Sequence, residues 1–250
     1  MINNYYLLPE FTPARLQDLV LWFEPASFRG NTWYNLAPNY SDRNHGTAHG
    51  GVGLSSWHPL FPPALTFDGV DDYVKVPDSN SLDITNEITI EAWVKPEGDF
   101  SDLIYPIIVR KTGAYSLRYS HDNGNLIGQL WIGGGVISTY SLTDAWDTTK
   151  WTHFIFAYDG EYLRLYRDGS EAIPPRPQTG SINVVANNLG VGANGEGNLN
   201  LSAFIYVIRI YKAALTPTEI HHNYTHHPLY YIRRGVDPYE FIKRKKFYFL

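Results

Sequence analysis

Cysteine is absent from the 250 residues, which removes disulfides, thiol nucleophiles and thiolate metal sites together and leaves the redox compartment unreadable. Long apolar runs are missing too: nowhere do about 18 apolar residues follow one another, as a membrane-crossing helix requires. The amino terminus, MINNYYLLPEFTPARL, carries neither a basic leader nor an apolar stretch long enough for an export signal. Positive charge is in short supply, with 20 Lys and Arg against 25 Asp and Glu for a net −5, so nucleic acid and membrane are not expected partners of the chain's body. Aromatics are plentiful instead: 19 Tyr, 7 Trp and 12 Phe exceed what a core of this size needs, and some rings are expected on a recognition surface.

Most of the chain reads at period two. In EITIEAWVKP, Ile88, Ile90, Ala92 and Val94 fall on one face and Glu87, Thr89, Glu91, Trp93 and Lys95 on the other, the pattern of a half-buried strand whose polar face looks outward. Similar runs span 64–68, 73–76, 103–110, 115–119, 126–132, 136–140, 151–158, 162–167 and 203–211. Asp68-Gly69, Asn123-Gly124, Asp159-Gly160, Asp168-Gly169 and Asn194-Gly195 punctuate them. Such pairs suit turns that demand positive φ, so neighbouring strands should form antiparallel hairpins, most clearly over Trp151 to Asp168. One short helix is marked by Thr216-Pro217-Thr218-Glu219, a capping hydroxyl, an N1 proline and an N3 glutamate, and should end near Asn223. Many short strands and one late helix predict an all-β sandwich of two antiparallel sheets.

Three segments follow from composition: a lead over 1–17, one domain over 18–227 with no dividing linker, and an extension over 228–250. That extension carries +4 and leaves −9 for the rest, with aromatics among its basic residues. Tyr230, Tyr231, Arg233, Arg234, Phe241, Phe247, Tyr248 and Phe249 are the candidates for packing back on the domain or docking on a neighbouring subunit of a homo-oligomer or larger assembly.

The segment ALTFDGVDDYVKVPDSNSLDITNEITIEAWVKP resembles the opening signature of laminin-G-like, concanavalin A-like jelly-roll domains. WTHFIFAYDGEYLRLYRDG is similar to that family's central hairpin, and FIYVIRIYKAALTPTEI to its last strand and closing helix. The resemblance runs over about residues 18 to 224 and implies a jelly roll of two curved sheets with roughly six or seven strands each. Relatives often hold a structural calcium, using an early acidic residue, loop carbonyls and a last-strand aspartate. Here Tyr206 stands at that last position, leaving Glu24, Asp68 and Asp72 as ligand candidates should an ion bind. No cofactor is required by this reading.

Some relatives hydrolyse polysaccharides with carboxylates at alternating positions, but no E-x-D-x-E cluster occurs. Glu87 and Glu91 share a strand face about 13 Å apart, beyond the spacing of glycosidase carboxyls. Asp71 and Asp72, being adjacent, should point oppositely, and they read better as turn residues. Gly133-Gly134-Gly135 lacks the Lys-Ser/Thr of a phosphate loop. His153 reads as a strand residue bonded to a neighbour, and His222/His226 as rings at a helix C-terminus rather than a metal pair. The expectation is therefore a non-catalytic module binding glycan or a glycoprotein surface, with ligand candidates Trp57, Tyr105, His121, Asp122, Asn123, Trp146 and Asn194. Alternatives are a structural or host-attachment subunit of a virion or cell-surface assembly, and a polysaccharide-active enzyme. Fold analogy points to the extracellular space or a virion surface.

Overall fold

The computed structural model describes residues 11–56, 63–99, 105–120, 123–140 and 144–234. In chain order its strands are β1 (Leu19–Phe23), β2 (Phe28–Arg29), β3 (Thr32–Trp33), β4 (Gly46–His49), β5 (Gly53–Leu54), β6 (Leu65–Asp68), β7 (Tyr73–Val76), β8 (Ile88–Pro96), β9 (Ile107–Lys111), β10 (Tyr115–Tyr119), β11 (Leu126–Ile132), β12 (Gly135–Tyr140), β13 (Thr152–Tyr158), β14 (Tyr162–Arg167), β15 (Ser170–Glu171), β16 (Arg176–Pro177), β17 (Leu189–Val191) and β18 (Ser202–Tyr211). Helices α1 (Pro217–Thr225) and α2 (Pro228–Arg233) follow. No helix among the described residues is long and apolar enough to cross a membrane.

The strands form two antiparallel sheets of nine. Sheet I runs β15-β14-β13-β8-β18-β6-β5, with β1 joined to β18 and β16 to β14. Sheet II runs β12-β11-β10-β9-β17-β7-β4-β3-β2. The expectation of six or seven strands per sheet is exceeded because two-residue strands such as β2, β3 and β15 extend the edges, and runs this short leave no periodic signal.

Between the sheets lies one continuous core. Ile88, Ile90, Ala92 and Val94 of β8 enter it as the alternation requires, joined by Phe154, Phe156 and Tyr158 from β13 and by Val74, Val76, Val109, Leu117 and Leu130 from sheet II. Trp33 stacks on Phe23 with ring centroids 4.7 Å apart, an arrangement that adds about 0.5–1.5 kcal/mol beyond area burial. Gly128 is needed where β11 crosses β13, because a Cβ there would collide with the Phe156 ring. The turn chemistry is also as expected: β13 pairs with β14 across Asp159-Gly160, where Gly160 adopts φ 90°.

Helix α1 has the expected capping box, with Glu219 N donating to Thr216 Oγ1 at 3.3 Å and Thr216 N donating to Glu219 Oε2 at 2.8 Å. It continues to Thr225, two residues past the expected end, and a second helix follows that the sequence pattern did not announce. Pro228 at its first position and His227 at its N-cap start α2, whose Leu229 is fully buried. Both helices lie against the outer face of sheet I. This corrects the expectation for β8: Thr89, Glu91 and Trp93 are each completely buried rather than solvent-facing. Trp151, at 5% exposed, belongs with Trp93, Tyr206, Val207 and Leu229 to the apolar cluster beneath α2, not to the sandwich interior.

Candidate functional site

The covered face of sheet I carries a buried polar network centred on Glu91. Its Oε1 accepts from Arg209 Nη1 at 2.8 Å and from His153 Nε2 at 3.0 Å, and its Oε2 accepts from Asn223 Nδ2 at 2.8 Å and Tyr211 OH at 3.1 Å. Glu24 completes the pairing of Arg209, accepting from Nη2 at 2.7 Å and from Trp22 Nε1 at 2.7 Å. Burial alone pushes the Glu91 carboxyl upward, but the Arg209 charge and the His153 and His227 rings outweigh it and hold the group at about 2. His227 stacks on Trp93 with centroids 5.3 Å apart, and burial together with the nearby Arg209 charge keeps it well below the ordinary histidine value. A carboxylate with four donors, ion-paired to an arginine that a second carboxylate also meets, has no capacity left to give or take a proton. This network fastens the helices to the sheet.

The outer face of sheet II is built differently. Register places Arg29, Thr32, Thr47, Lys75, Gly190, Arg110, Ser116 and Gln129 side by side across eight strands, a row with three basic residues and no acidic one. At Gly190 the backbone of Ala193 and Asn194 folds so close that a Cβ would clash, and this loop walls off the portion formed by β9, β10 and β11. Within it the Arg110 guanidinium lies over the Trp131 ring at 5.0 Å and the Arg118 guanidinium over the Tyr105 ring at 4.6 Å. Arg118 also donates from Nε to Gln129 Oε1 at 2.8 Å, which fixes its plane. Ser116 beneath them is fully buried, and its hydroxyl and Arg110 Nε have no hydrogen-bond partner among the described residues. Burial and the neighbouring positive charge of Arg118 lower the basicity of Arg110.

Of the residues expected from sequence to hold ligand, Tyr105 is brought to this face and is 42% exposed. The others lie elsewhere. Asn123 Oδ1 accepts from Ser120 Oγ and from Asn125 N, organising the β10–β11 turn. Asn194 Oδ1 accepts from Glu196 N and Asn198 N at 3.0 and 2.9 Å, organising the wall loop. Trp146 packs edge-on against the core ring of Tyr119 and donates to Gly98 O at 3.2 Å. Trp57, His121 and Asp122 lie outside the described residues. Arg110, Ser116, Arg118, Gln129 and Trp131 were missed, although alternation within YSLRYS and LIGQLWI already puts the last four on one side of their strands.

The expected calcium ligands are not assembled as a set. Asp68 and Asp72 come together, joined by Asp71, with carboxylate oxygens within 4.8 Å of one another. Adjacent Asp71 and Asp72 do not point oppositely, because they lie in the turn after β6, where strand alternation does not apply. Glu24 is held by Arg209 instead, and the Asp72 carboxylate accepts from the backbone amides of Gly51 and Asp68. Tyr206 sits where the β18 register slips against β8, edge-on to Trp151 and His227. The ligand set the resemblance calls for therefore does not fit this chain.

In the extension, Arg233 pairs with Asp168, and Tyr230 packs edge-on against Tyr224 with centroids 5.0 Å apart. Arg234 lies over the Tyr230 ring at 4.8 Å, and Tyr231 packs edge-on against the same ring. Phe241, Phe247, Tyr248 and Phe249 lie outside the described residues. A cleft of about 300 Å³ opens between the β13–β14 hairpin and the start of α1, lined by Tyr166, Leu215, Pro217, Asp159 and Arg164. Arg164 already pairs there with Glu171 at 3.1 Å and Asp159 at 3.6 Å.

Two stacked antiparallel sheets, a central hairpin over 152–167 and a last strand leading into a capped helix match a laminin G-type family model over residues 68–221, described as the concanavalin A-like lectin/glucanases superfamily. The chain belongs to this superfamily. No curated protein matches it by sequence. Among solved structures, this concanavalin A-like domain is similar to the binding domain of Paraclostridial Mosquitocidal Protein 1, with a TM-score of 0.66 and 17% identity over 84% of this chain and 52% of that one. It is similar to the botulinum neurotoxin serotype D ligand binding domain in complex with N-acetylneuraminic acid, with a TM-score of 0.62 and 14% identity over 84% and 51%. It is also similar to domain 4 of AbnA, an extracellular arabinanase from Geobacillus stearothermophilus, in complex with arabinotriose, with a TM-score of 0.60 and 20% identity over 82% and 97%. The chain spans about half the length of the toxin domains. At these identities the likeness establishes the shared concanavalin A-like fold.

Proposed function

We infer that this chain is a non-catalytic glycan-recognition module that holds saccharide on the outer face of sheet II. The observation that carries this reading is the grouping of Trp131, Arg110, Arg118 and Gln129 on the outer face of β9, β10 and β11, with Tyr105, just before β9, stacked against Arg118. Sugar sites combine rings, on which the apolar face of a pyranose stacks, with amide and guanidinium donors for its hydroxyls, and both are present within three neighbouring strands. The arabinotriose and N-acetylneuraminic acid complexes of two structural neighbours support a saccharide ligand, and the extracellular setting of the arabinanase supports a module that works outside the cell. Against hydrolysis stands the state of Glu91, ion-paired and saturated with donors, whereas a glycosidase needs one carboxyl able to give or take a proton beside a second about 5–10 Å away.

A glycan array probed with the full chain tests this, followed by titration monitored through tryptophan fluorescence. At least one sugar class is expected to bind, and Trp131→Ala to weaken that binding by about tenfold, the share one stacked ring contributes. Binding that survives Trp131→Ala undiminished removes this face from the reading, and measurable release of reducing ends from any polysaccharide removes the non-catalytic assignment.

A further inference from the structure

We propose that the outer face of sheet II receives the end of a saccharide chain and excludes its interior, and that a ridge formed by residues 193–198 sets this limit. The proposal rests on the glycan reading and narrows it to chain termini and short branches.

The ridge is the first ground. Leu189 and Val191 of β17 point into the core, so Gly190 between them faces outward. The backbone of Ala193 and Asn194 lies directly on Gly190, where a Cβ would collide with it. Gly195 comes equally close to the backbone of Asn188, just before β17, and past the other end of that strand Leu199 O accepts from Ile107 N at 3.1 Å. The ridge thus covers β17 along its length, and Gly197 carries it on to the Tyr73 ring of β7. Because β17 is the middle strand of sheet II, a saccharide lying across the strands from β11 and β9 meets the ridge before it reaches β7.

The ridge is also braced. Asn194 Oδ1 accepts from Glu196 N and Asn198 N, Asn194 N donates to Asn198 O at 2.9 Å, and Gly197 N donates to Asn194 O at 3.0 Å. Glu196 Oε1 accepts from Asn188 Nδ2 at 3.2 Å and fastens the crest to the strand entry. A ligand pushing the ridge aside would have to break these bonds.

The second ground is the end of the bay where β9 begins and β10 finishes. Arg118 stands two residues beyond Ser116, the cross-strand partner of Arg110, and the Tyr105 ring is stacked on its guanidinium. A sugar unit held at Trp131 therefore sits in a corner, with the ridge on one side and the Arg118–Tyr105 stack on another. An interior unit of an extended chain needs two opposite exits. Across the strands one exit is lost to the ridge, and along them one is lost to the stack. A terminal unit needs a single exit, and the span from β9 to β12, about 14–15 Å, suits a short oligosaccharide.

The deciding experiment titrates the full chain with linear arabinan, xylan, mannan, a β-1,3-glucan and polysialic acid, each intact and after partial acid hydrolysis, at equal mass of sugar. Hydrolysis multiplies chain ends without changing the units, so the fragments of a recognised sugar are expected to bind at least about tenfold better by mass than the intact polymer. Borohydride reduction of the fragments then assigns the end: lost binding supports the reducing terminus, and retained binding supports the other. Asn194→Ala, which removes the acceptor for two ridge amides, should narrow the gap between polymer and fragments. Melting curves establish that the variant is folded, and the comparison on the unaltered chain decides the matter even if it is not. Equal binding by mass before and after hydrolysis, or tighter binding of the intact polymer, overturns the proposal while the glycan reading stands. An unchanged gap in a folded Asn194→Ala chain whose Glu196 and Asn198 amides exchange faster overturns the ridge as its cause. A chain that binds none of these sugars in either form takes the glycan reading down as well.

Discussion

The two outer faces of this sandwich use the same ingredients to opposite ends. On sheet I, Arg209, His153, Asn223 and Tyr211 converge on the Glu91 carboxylate in a buried network beneath two helices. On sheet II, Arg110 and Arg118 stand beside rings and an amide with no register-matched carboxylate in the Arg110 row. A charged residue on a strand therefore says little by itself. What makes the sheet I face a fastening is that the fold supplies the counter-charge to Arg209 and then covers the pair.

Breaking the fastening should have the larger effect. Glu91→Gln leaves Arg209 and His153 buried against a neutral amide, and removal of one partner from a buried pair costs about 3–5 kcal/mol. Urea unfolding at neutral pH measures this directly, and a loss below about 1 kcal/mol, the range of exposed pairs, would mean that the network does not fasten the helices.

Acid should loosen the same face in two stages. The folded value of His227 lies below its unfolded value of about 6.5, so its contribution is complete above that pH and drains away as protons are taken up on unfolding. Glu91, held at about 2, adds a second loss as pH falls from about 4.5, its unfolded value, toward about 2. Denaturant midpoints recorded from neutral pH downward should decline below about pH 6.5, and His227→Phe should flatten the upper stage only. A midpoint constant from neutral pH to about 5 would show that the ring is not held neutral.

The smallest expected effect sharpens the contrast. Arg110→Gln should change stability by no more than about 0.5 kcal/mol, since the side chain leaves behind no stranded carboxylate. A loss comparable to that of Glu91→Gln would put the two faces in the same class.

Much of this was legible from local pattern. The alternation in ITIEAWVKP gave the core face of β8, and Thr216 to Glu219 gave the start of α1, because strand facing and helix capping are decided within a few residues. The fate of the opposite face of β8 was not legible. Whether Glu91 meets water or a helix depends on where α1 and α2 return, more than a hundred residues later, and Asn223 reaches Glu91 from 132 positions away. The pairing of Glu24 was not legible for the same reason, since its partner Arg209 is 185 residues distant. The sheet II face lies between these cases. Each strand displays its outward residues in the sequence, but the neighbour order β11-β10-β9-β17 that puts Trp131 near Arg110 is a property of the topology.

The first and last described segments meet on sheet I. Ala14 N donates to Asn223 Oδ1 at 2.8 Å, His222 Nε2 lies 3.1 Å from Thr12 O, and the Phe11 ring lies edge-on to His227. A tether, dye or bead linked at either segment sits behind the sandwich, leaving Trp131 and Arg110 displayed toward solution. Immobilised chains are thus oriented without further engineering, and a sensor surface coated through either segment presents one uniform side to whatever flows past.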